Sequence, residues 1–281
     1  MALDAAFPEA KPMTWSQCER LVPHALVCAT STRSWKSMNK NLASLLFKTA
    51  GYLVDRAQYE QVEPLYQGAL DIWEQVLVPN HPQVATVLNN LANLYYEQGK
   101  YEQAEPLYQR ALDIWEQAGH PQVAAALNGL ANLYYEQGKY EQAELLYQRA
   151  LDIWEQAGHP DVAYPLNGLA NLYREQGKYE QAEPLYRRAL DIWEQALGSD
   201  HPKTAEVMYD FALFQDAQSN RYEGKSLYEQ ALAIRKQVLG DSHPKTRETR
   251  KRYIVLLQAM GRHEEAALHE ATQDGQGISE G

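Results

Sequence analysis

Residues 91–117 read LANLYYEQGKYEQAEPLYQRALDIWEQ. The phrase returns at 130–156 as LANLYYEQGKYEQAELLYQRALDIWEQ and at 169–195 as LANLYREQGKYEQAEPLYRRALDIWEQ. Self-similarity at this period marks stacked supersecondary units. Within the unit, apolar and small residues recur at three- and four-residue spacing. Leu88, Leu91, Ala92 and Tyr95 form one stripe, and Ala104, Tyr108, Ala111 and Trp115 form another. That spacing predicts two amphipathic helices joined by a tight turn at Gly99-Lys100. One hairpin does not bury both stripes, so each unit must lean on its neighbours.

Working outward, the anchor position of Tyr101 falls on Tyr59, Tyr101, Tyr140, Tyr179, Arg221 and His263, in steps of 42, 39, 39, 42 and 42. This gives six units with divergent ends: 36–79, 80–118, 119–157, 158–199, 200–241 and 242–272. A capping helix is expected over 14–35, and disordered tails over 1–13 and 273–281. Thr14 and Gln17 form a capping box for a helix running to about Thr30, bent or interrupted at Pro23. The first repeat's helices are expected from about Ser37 to Asp55 and from about Gln58 to Leu77. After Trp115 and Trp154 the chain reads EQAGHP, against EQVLVPNHP and EQALGSDHP elsewhere. The missing residues amount to about one helical turn, so the second helix should end sooner in those two units. His-Pro pairs at 81, 120, 159, 201 and 243 open the units, with proline suited to the first helical position. Pro64, Pro106 and Pro184 fall within second helices, where a kink is expected; Leu145 stands in their place in the third unit.

The pattern Leu91-Ala92, Tyr95, Gly99, Tyr101, Ala104, Tyr108 and Ala111 resembles the tetratricopeptide repeat, over roughly residues 36 to 272. The long period is similar to that of kinesin light chain repeats. The resemblance implies an all-α fold, a right-handed α-solenoid of about six helix-turn-helix repeats, usually with a peptide-binding concave face. A second stretch, Ala5-Ala6-Phe7-Pro8, Trp15, Cys18-Glu19-Arg20-Leu21 and Pro23-His24-Ala25-Leu26, resembles a linker of bacterial NB-ARC-type signalling NTPases. There it joins the nucleotide-binding part to a repeat sensor. The chain has no GxxxxGK[ST] loop, so no nucleotide function carries over.

Thirty-seven acidic and 26 basic residues leave a net charge of −11. That argues against a nucleic-acid partner and favours a basic or neutral one. Cys18 and Cys28, roughly 15 Å apart along one helix, do not pair with each other, and free thiols fit a reducing cytoplasm. The first residues, MALDAAFPEAKPM, hold no apolar run, so no signal peptide is expected. No stretch approaches a membrane span.

No enzyme constellation emerges. The five periodic histidines are separated by whole helix pairs, at least roughly 10 Å, too far to share an ion at about 2 Å. No metal and no cofactor is expected. The informative set is a ladder of asparagines at i, i+4 spacing: Asn89 and Asn93, Asn128 and Asn132, Asn167 and Asn171. In the family the matching positions face the concave groove. A carboxamide offers a donor and an acceptor to a peptide backbone. The alternative is that these amides satisfy each other between repeats.

Selectivity would come from Tyr96 with Glu97, Tyr135 with Glu136, Arg174 with Glu175, and from Thr86, Ala125 and Tyr164. The tyrosines suit apolar side chains, the glutamates a basic partner, and Arg174 an acidic group. Tyr95 and Tyr134 are assigned to the core, and Lys100, Lys139 and Lys178 to a solvated rim. Trp73, Trp115, Trp154 and Trp193 either extend the stacking seam or form an exposed row for self-association; Arg235 replaces them in the fifth unit. The expected function is non-catalytic capture of an extended protein or peptide partner. The alternatives are a sensor part of a signalling NTPase and a self-associating scaffold.

Overall fold

The computed structural model describes residues 7–8, 14–31, 40–78 and 80–273, and among them there is helix and turn but no strand. Most of both predicted tails, and the start of the first repeat's opening helix at Ser37, lie outside the described residues. Phe7, assigned by sequence to the tail, is buried.

Among the described residues thirteen α-helices follow in order: α1 (Trp15–Ser31), α2 (Lys40–Asp55), α3 (Val62–Val76), α4 (Pro82–Glu97), α5 (Tyr101–Gln117), α6 (Val123–Glu136) and α7 (Tyr140–Gln156). Then come α8 (Ala163–Glu175), α9 (Tyr179–Leu197), α10 (Pro202–Ala217), α11 (Arg221–Leu239), α12 (Pro244–Ala259) and α13 (His263–Gln273). The chain divides into two compact units, one ending at Ala150 and the other beginning at Leu151.

In the first unit α1 runs unbroken through Pro23, against the interruption expected there. It packs on α2 and buries Cys18 and Ala25. Burial pushes the Cys18 thiol above its ordinary value. Helices α2 to α6 then pack as chain neighbours. Alanines at the crossings, Ala92, Ala104, Ala111 and Ala131, are fully buried and leave room for Leu88, Leu91, Tyr108 and Trp115 between them. In the second unit α8 to α13 pair the same way. Here phenylalanines enrich the core: Tyr186 stacks on Phe211 at 5.4 Å and lies 5.2 Å from Phe214.

The turns inside the hairpins have one mechanism. Gly99 adopts φ +71°, its N–H donates to Tyr96 O at 2.9 Å, and the Lys100 N–H donates to Tyr95 O at 2.8 Å. This left-handed cap pairs carbonyls that the helix end leaves open. Ala57 and Ser219 take the same position in the first and fifth hairpins, at φ 55° and 64°.

At the other end of each hairpin the histidine is the cap. Nδ1 of His81, His120, His159, His201 and His243 accepts the backbone N–H two residues on, at 3.2–3.3 Å. Pro82, Pro202 and Pro244 open α-helices, as expected. The two short units differ: Pro121 enters a turn before α6, and Pro160 opens a 3₁₀ turn, Pro160–Val162, before α8. Their preceding helices end sooner than α9 and α11, at Gln117 and Gln156, with 17 residues each against 19, whereas α3, which also precedes a longer link, has 15 and ends at Val76.

Three sequence assignments need correction or choice. Trp73, Trp115, Trp154 and Trp193 are buried, so they are seam and not an exposed row. Tyr95 and Tyr134 are half-buried, not core. Their hydroxyls donate to Glu63 and Glu105 of the preceding repeat, both at 2.9 Å. Lys100 and Lys139 lie over the Tyr95 and Tyr134 rings, at 5.4 and 5.0 Å, and Lys178 over Tyr173 at 5.4 Å. The lysines on the rim are therefore tied to aromatic faces.

Candidate functional site

The ladder residues sit on α4, α6 and α8, and they fall into two sets. In the first unit, Asn93 and Asn132 occupy the later rung of α4 and α6. The buried Tyr108 and Tyr147 donate their hydroxyls to Asn93 Oδ1 and Asn132 Oδ1, each at 2.6 Å. Each carbonyl end is thereby fixed by a tyrosine of the same hairpin. Asn93 is exposed and Asn132 half-buried. The earlier rungs, Asn89 and Asn128, lie deeper, and their Oδ1 atoms are buried without a protein partner.

Beside them, Tyr96 packs on Tyr101 with ring centroids 5.9 Å apart, and Tyr135 on Tyr140 at 5.8 Å. Burial raises the Tyr96 phenol, and the negative charges of Glu136 and Glu97 raise it further. Glu97 and Glu136 are exposed. Thr86 is turned to its own helix, its hydroxyl donating to Pro82 O at 3.1 Å. Ala125 is half-buried on α6.

In the second unit Tyr186 repeats the pin, donating to Asn171 Oδ1 at 2.6 Å. Arg174 adds a second donor to the same oxygen at 3.1 Å and holds Glu175 at 2.9 Å. The amino ends differ from those of the first unit. Asn167 Nδ2 and Asn171 Nδ2 both donate to Asp210 Oδ2, at 2.5 and 3.0 Å. Tyr164 stands between Trp154 and Trp193, its ring 6.4 and 5.1 Å from theirs. Lys203 covers Tyr164 and Trp193, at 4.8 and 4.6 Å, and pairs with Asp161 at 3.5 Å. Glu206 lies 3.6 Å from Lys245, whose charge holds its carboxyl below the ordinary value. Burial raises Asp210, and the two asparagine donors oppose the rise.

The structure thus gathers Asn89, Asn93, Tyr96, Glu97, Asn128, Asn132, Tyr135 and Glu136 in the first unit, and Tyr164, Asn167, Asn171, Arg174 and Glu175 in the second. The tyrosine pins, Asp210, Glu206 and Lys203 were not anticipated. The pin was readable: Asn93 to Tyr108, Asn132 to Tyr147 and Asn171 to Tyr186 are each separated by 15 residues. Asp210 was not readable, because it belongs to a divergent repeat. Among the described residues no His, Cys, Asp and Glu group is arranged to hold a metal ion, and no helix is long and apolar enough to cross a membrane.

Repeated hairpins with side-chain-to-side-chain pins define a helical-repeat scaffold. The particular family follows from the comparisons. A tetratricopeptide repeat model matches residues 41–117, 85–156 and 161–223, and a second one matches 204–245. The chain belongs to the tetratricopeptide repeat family. No curated protein matches it.

Among solved structures it is similar to BtubC (BKLC) from P. vanneervenii, with 21% identity and a TM-score of 0.59 over 81% of this chain and 94% of that one. A putative kinesin light chain of Podosopora anserina with nearly identical repeats gives 23% and 0.52, over 72% and 98%. A Rap protein complexed with competence and sporulation factor gives 17% and 0.68, over 94% and 70%. At these identities the likeness concerns the fold.

Proposed function

We propose that the chain is a non-catalytic module that captures an extended segment of another protein along its asparagine-bearing helix faces. The observation that carries this is the pinned carboxamide. Tyr108 and Tyr147 occupy the Oδ1 atoms of Asn93 and Asn132, which leaves amino groups repeated one per hairpin to donate to a strand's carbonyls. Repetition at the hairpin period suits a backbone, which offers an acceptor at every residue whatever its side chains. Tyr96 and Tyr135 would receive apolar side chains, and the exposed Glu97 and Glu136 favour lysine or arginine in the partner. The Rap neighbour with its bound factor supports this reading by analogy of fold.

The test begins with a peptide selected by display against the wild-type chain. Asn93→Ala with Asn132→Ala removes two neutral hydrogen bonds, each worth about 0.5–1.5 kcal/mol. Affinity should fall roughly 5- to 150-fold, with helicity by circular dichroism unchanged. A peptide that binds the double variant as tightly as wild type overturns the reading.

A further inference from the structure

Register explains why the two units treat their ladders differently. Asn90, Gly129, Gly168 and Asp210 are the same position of four successive repeats, at spacings of 39, 39 and 42. This position reaches back to the preceding hairpin. Asn90 lies beside the Tyr66 hydroxyl, where its amide opposes the rise that burial imposes on that phenol. Gly129 lies so close that an added Cβ would come within 2.4 Å of the Tyr108 ring. Asp210 reaches back too, but it carries a carboxylate. One of its oxygens receives the amino groups of both Asn167 and Asn171. Two converging amide donors on one oxygen form an acceptor seat, and the chain fills it from within. Arg174 and Tyr186 share Asn171 Oδ1, which holds that amide with its amino end toward Asp210.

We propose that Asp210 is a built-in occupant of this seat: its carboxylate takes the place of a strand's carbonyl or carboxylate at Asn167 and Asn171, and it thereby keeps a strand off that pair. The inference rests on the reading of the asparagines as strand donors. It adds a residue that decides whether the Asn167–Asn171 pair is open to a partner, and it assigns to that pair a ligand class, the carboxylate.

The test is chemical rescue in the full chain, with formate as the probe. Asp210→Ala keeps Cβ and the helix while emptying the seat. Titration with sodium formate, at constant ionic strength set with chloride, is followed through the side-chain amide NMR signals of Asn167 and Asn171. Those signals should shift saturably in Asp210→Ala, with formate bound at least tenfold more tightly than by wild type. Asp210→Asn retains an acceptor in the seat and should stay unresponsive. A folded Asp210→Ala whose two amides ignore formate overturns the proposal, as does a wild type that responds equally.

Should Asp210→Ala lose its fold, wild type alone decides. The Asn167 and Asn171 amino protons should exchange with water at least several-fold more slowly than those of Asn93 and Asn132, and equal rates sink the idea. The formate titration needs no peptide, so it and the Asn93/Asn132 experiment fail separately.

Discussion

At His81, His201 and His243 a ring nitrogen does what a serine or aspartate oxygen usually does at a helix start. Nδ1 accepts only when it carries no proton, so the cap at His201 ties stability to pH. His201 shows the sign. Burial, reinforced by Lys203, lowers its pKa below the ordinary histidine value. A histidine held neutral in the fold contributes stability that is complete above its unfolded pKa and is lost as pH falls through the folded value. The melting temperature should therefore drop between pH 7.5 and 5, and His201→Asn, which caps without titrating, should shrink that drop. An unchanged pH profile in His201→Asn would remove the cap from the account. The left-handed turn residues offer a second test. Ala57 and Ser219 stand where the middle repeats carry Gly99, Gly138 and Gly177, all at φ +71°. A side chain costs about 1–2 kcal/mol in that region, offset in part by the entropy that glycine loses on folding. Ala57→Gly and Ser219→Gly should each stabilise by about 0.5–1 kcal/mol, read as a rise in the urea midpoint at constant slope. The turn glycines were legible because a left-handed position selects glycine. The histidine caps were not, because histidine beside proline signals a helix start without saying which atom makes the cap.

At the scale of the element, periodicity located the helices, and the missing residues after Trp115 and Trp154 foretold that α5 and α7 are shorter than α9 and α11. What periodicity could not reveal is which stripe residue also carries a polar contact. Tyr108 lies in the apolar stripe, yet its hydroxyl sets the orientation of Asn93, and its ring fixes how closely α6 approaches. Two helical glycines separate these effects. Gly129→Ala drives a methyl group into the Tyr108 ring and should cost about 1–3 kcal/mol, with a change in the Asn93 side-chain amide signal. Gly51, within α2, has nothing within 4 Å of an added Cβ. Gly51→Ala should instead stabilise by about 0.5–1 kcal/mol. If both substitutions moved the urea midpoint in the same direction, close approach at Gly129 would not be the controlling factor. The Asn167–Asn171 contact with Asp210 shows the complementary limit. The ladder itself was plain in three near-identical phrases, while the acid that closes one end of it lies in a repeat where the phrase has decayed.

At the scale of the whole molecule, stability in a repeat array is a sum of units and nearest-neighbour contacts, so it need not be lost in one step. The decayed repeats were the least legible part of the chain, since α10 and α12 keep the helical period but place Phe211 and Phe214 where the middle repeats carry leucine, and Thr249 where they carry valine, alanine or proline. They are nonetheless well filled: Arg235, at a tryptophan position, is buried with its guanidinium donating to Thr249 Oγ1 at 2.6 Å and to Lys245 O at 3.2 Å. The thin element is α13. Ala266 is its one buried side chain among the described residues, and its packing is against α12. Local opening follows buried apolar contact, so α13 should exchange its amides at a cost of only about 1–3 kcal/mol, while α4, α5, α8 and α9 exchange near the highest values. Hydrogen exchange by mass spectrometry across a urea series would resolve this, with α13 opening well below the main transition. Uniform opening energies from α4 to α13, together with equal calorimetric and van't Hoff enthalpies, would show instead that the array folds as a single cooperative body.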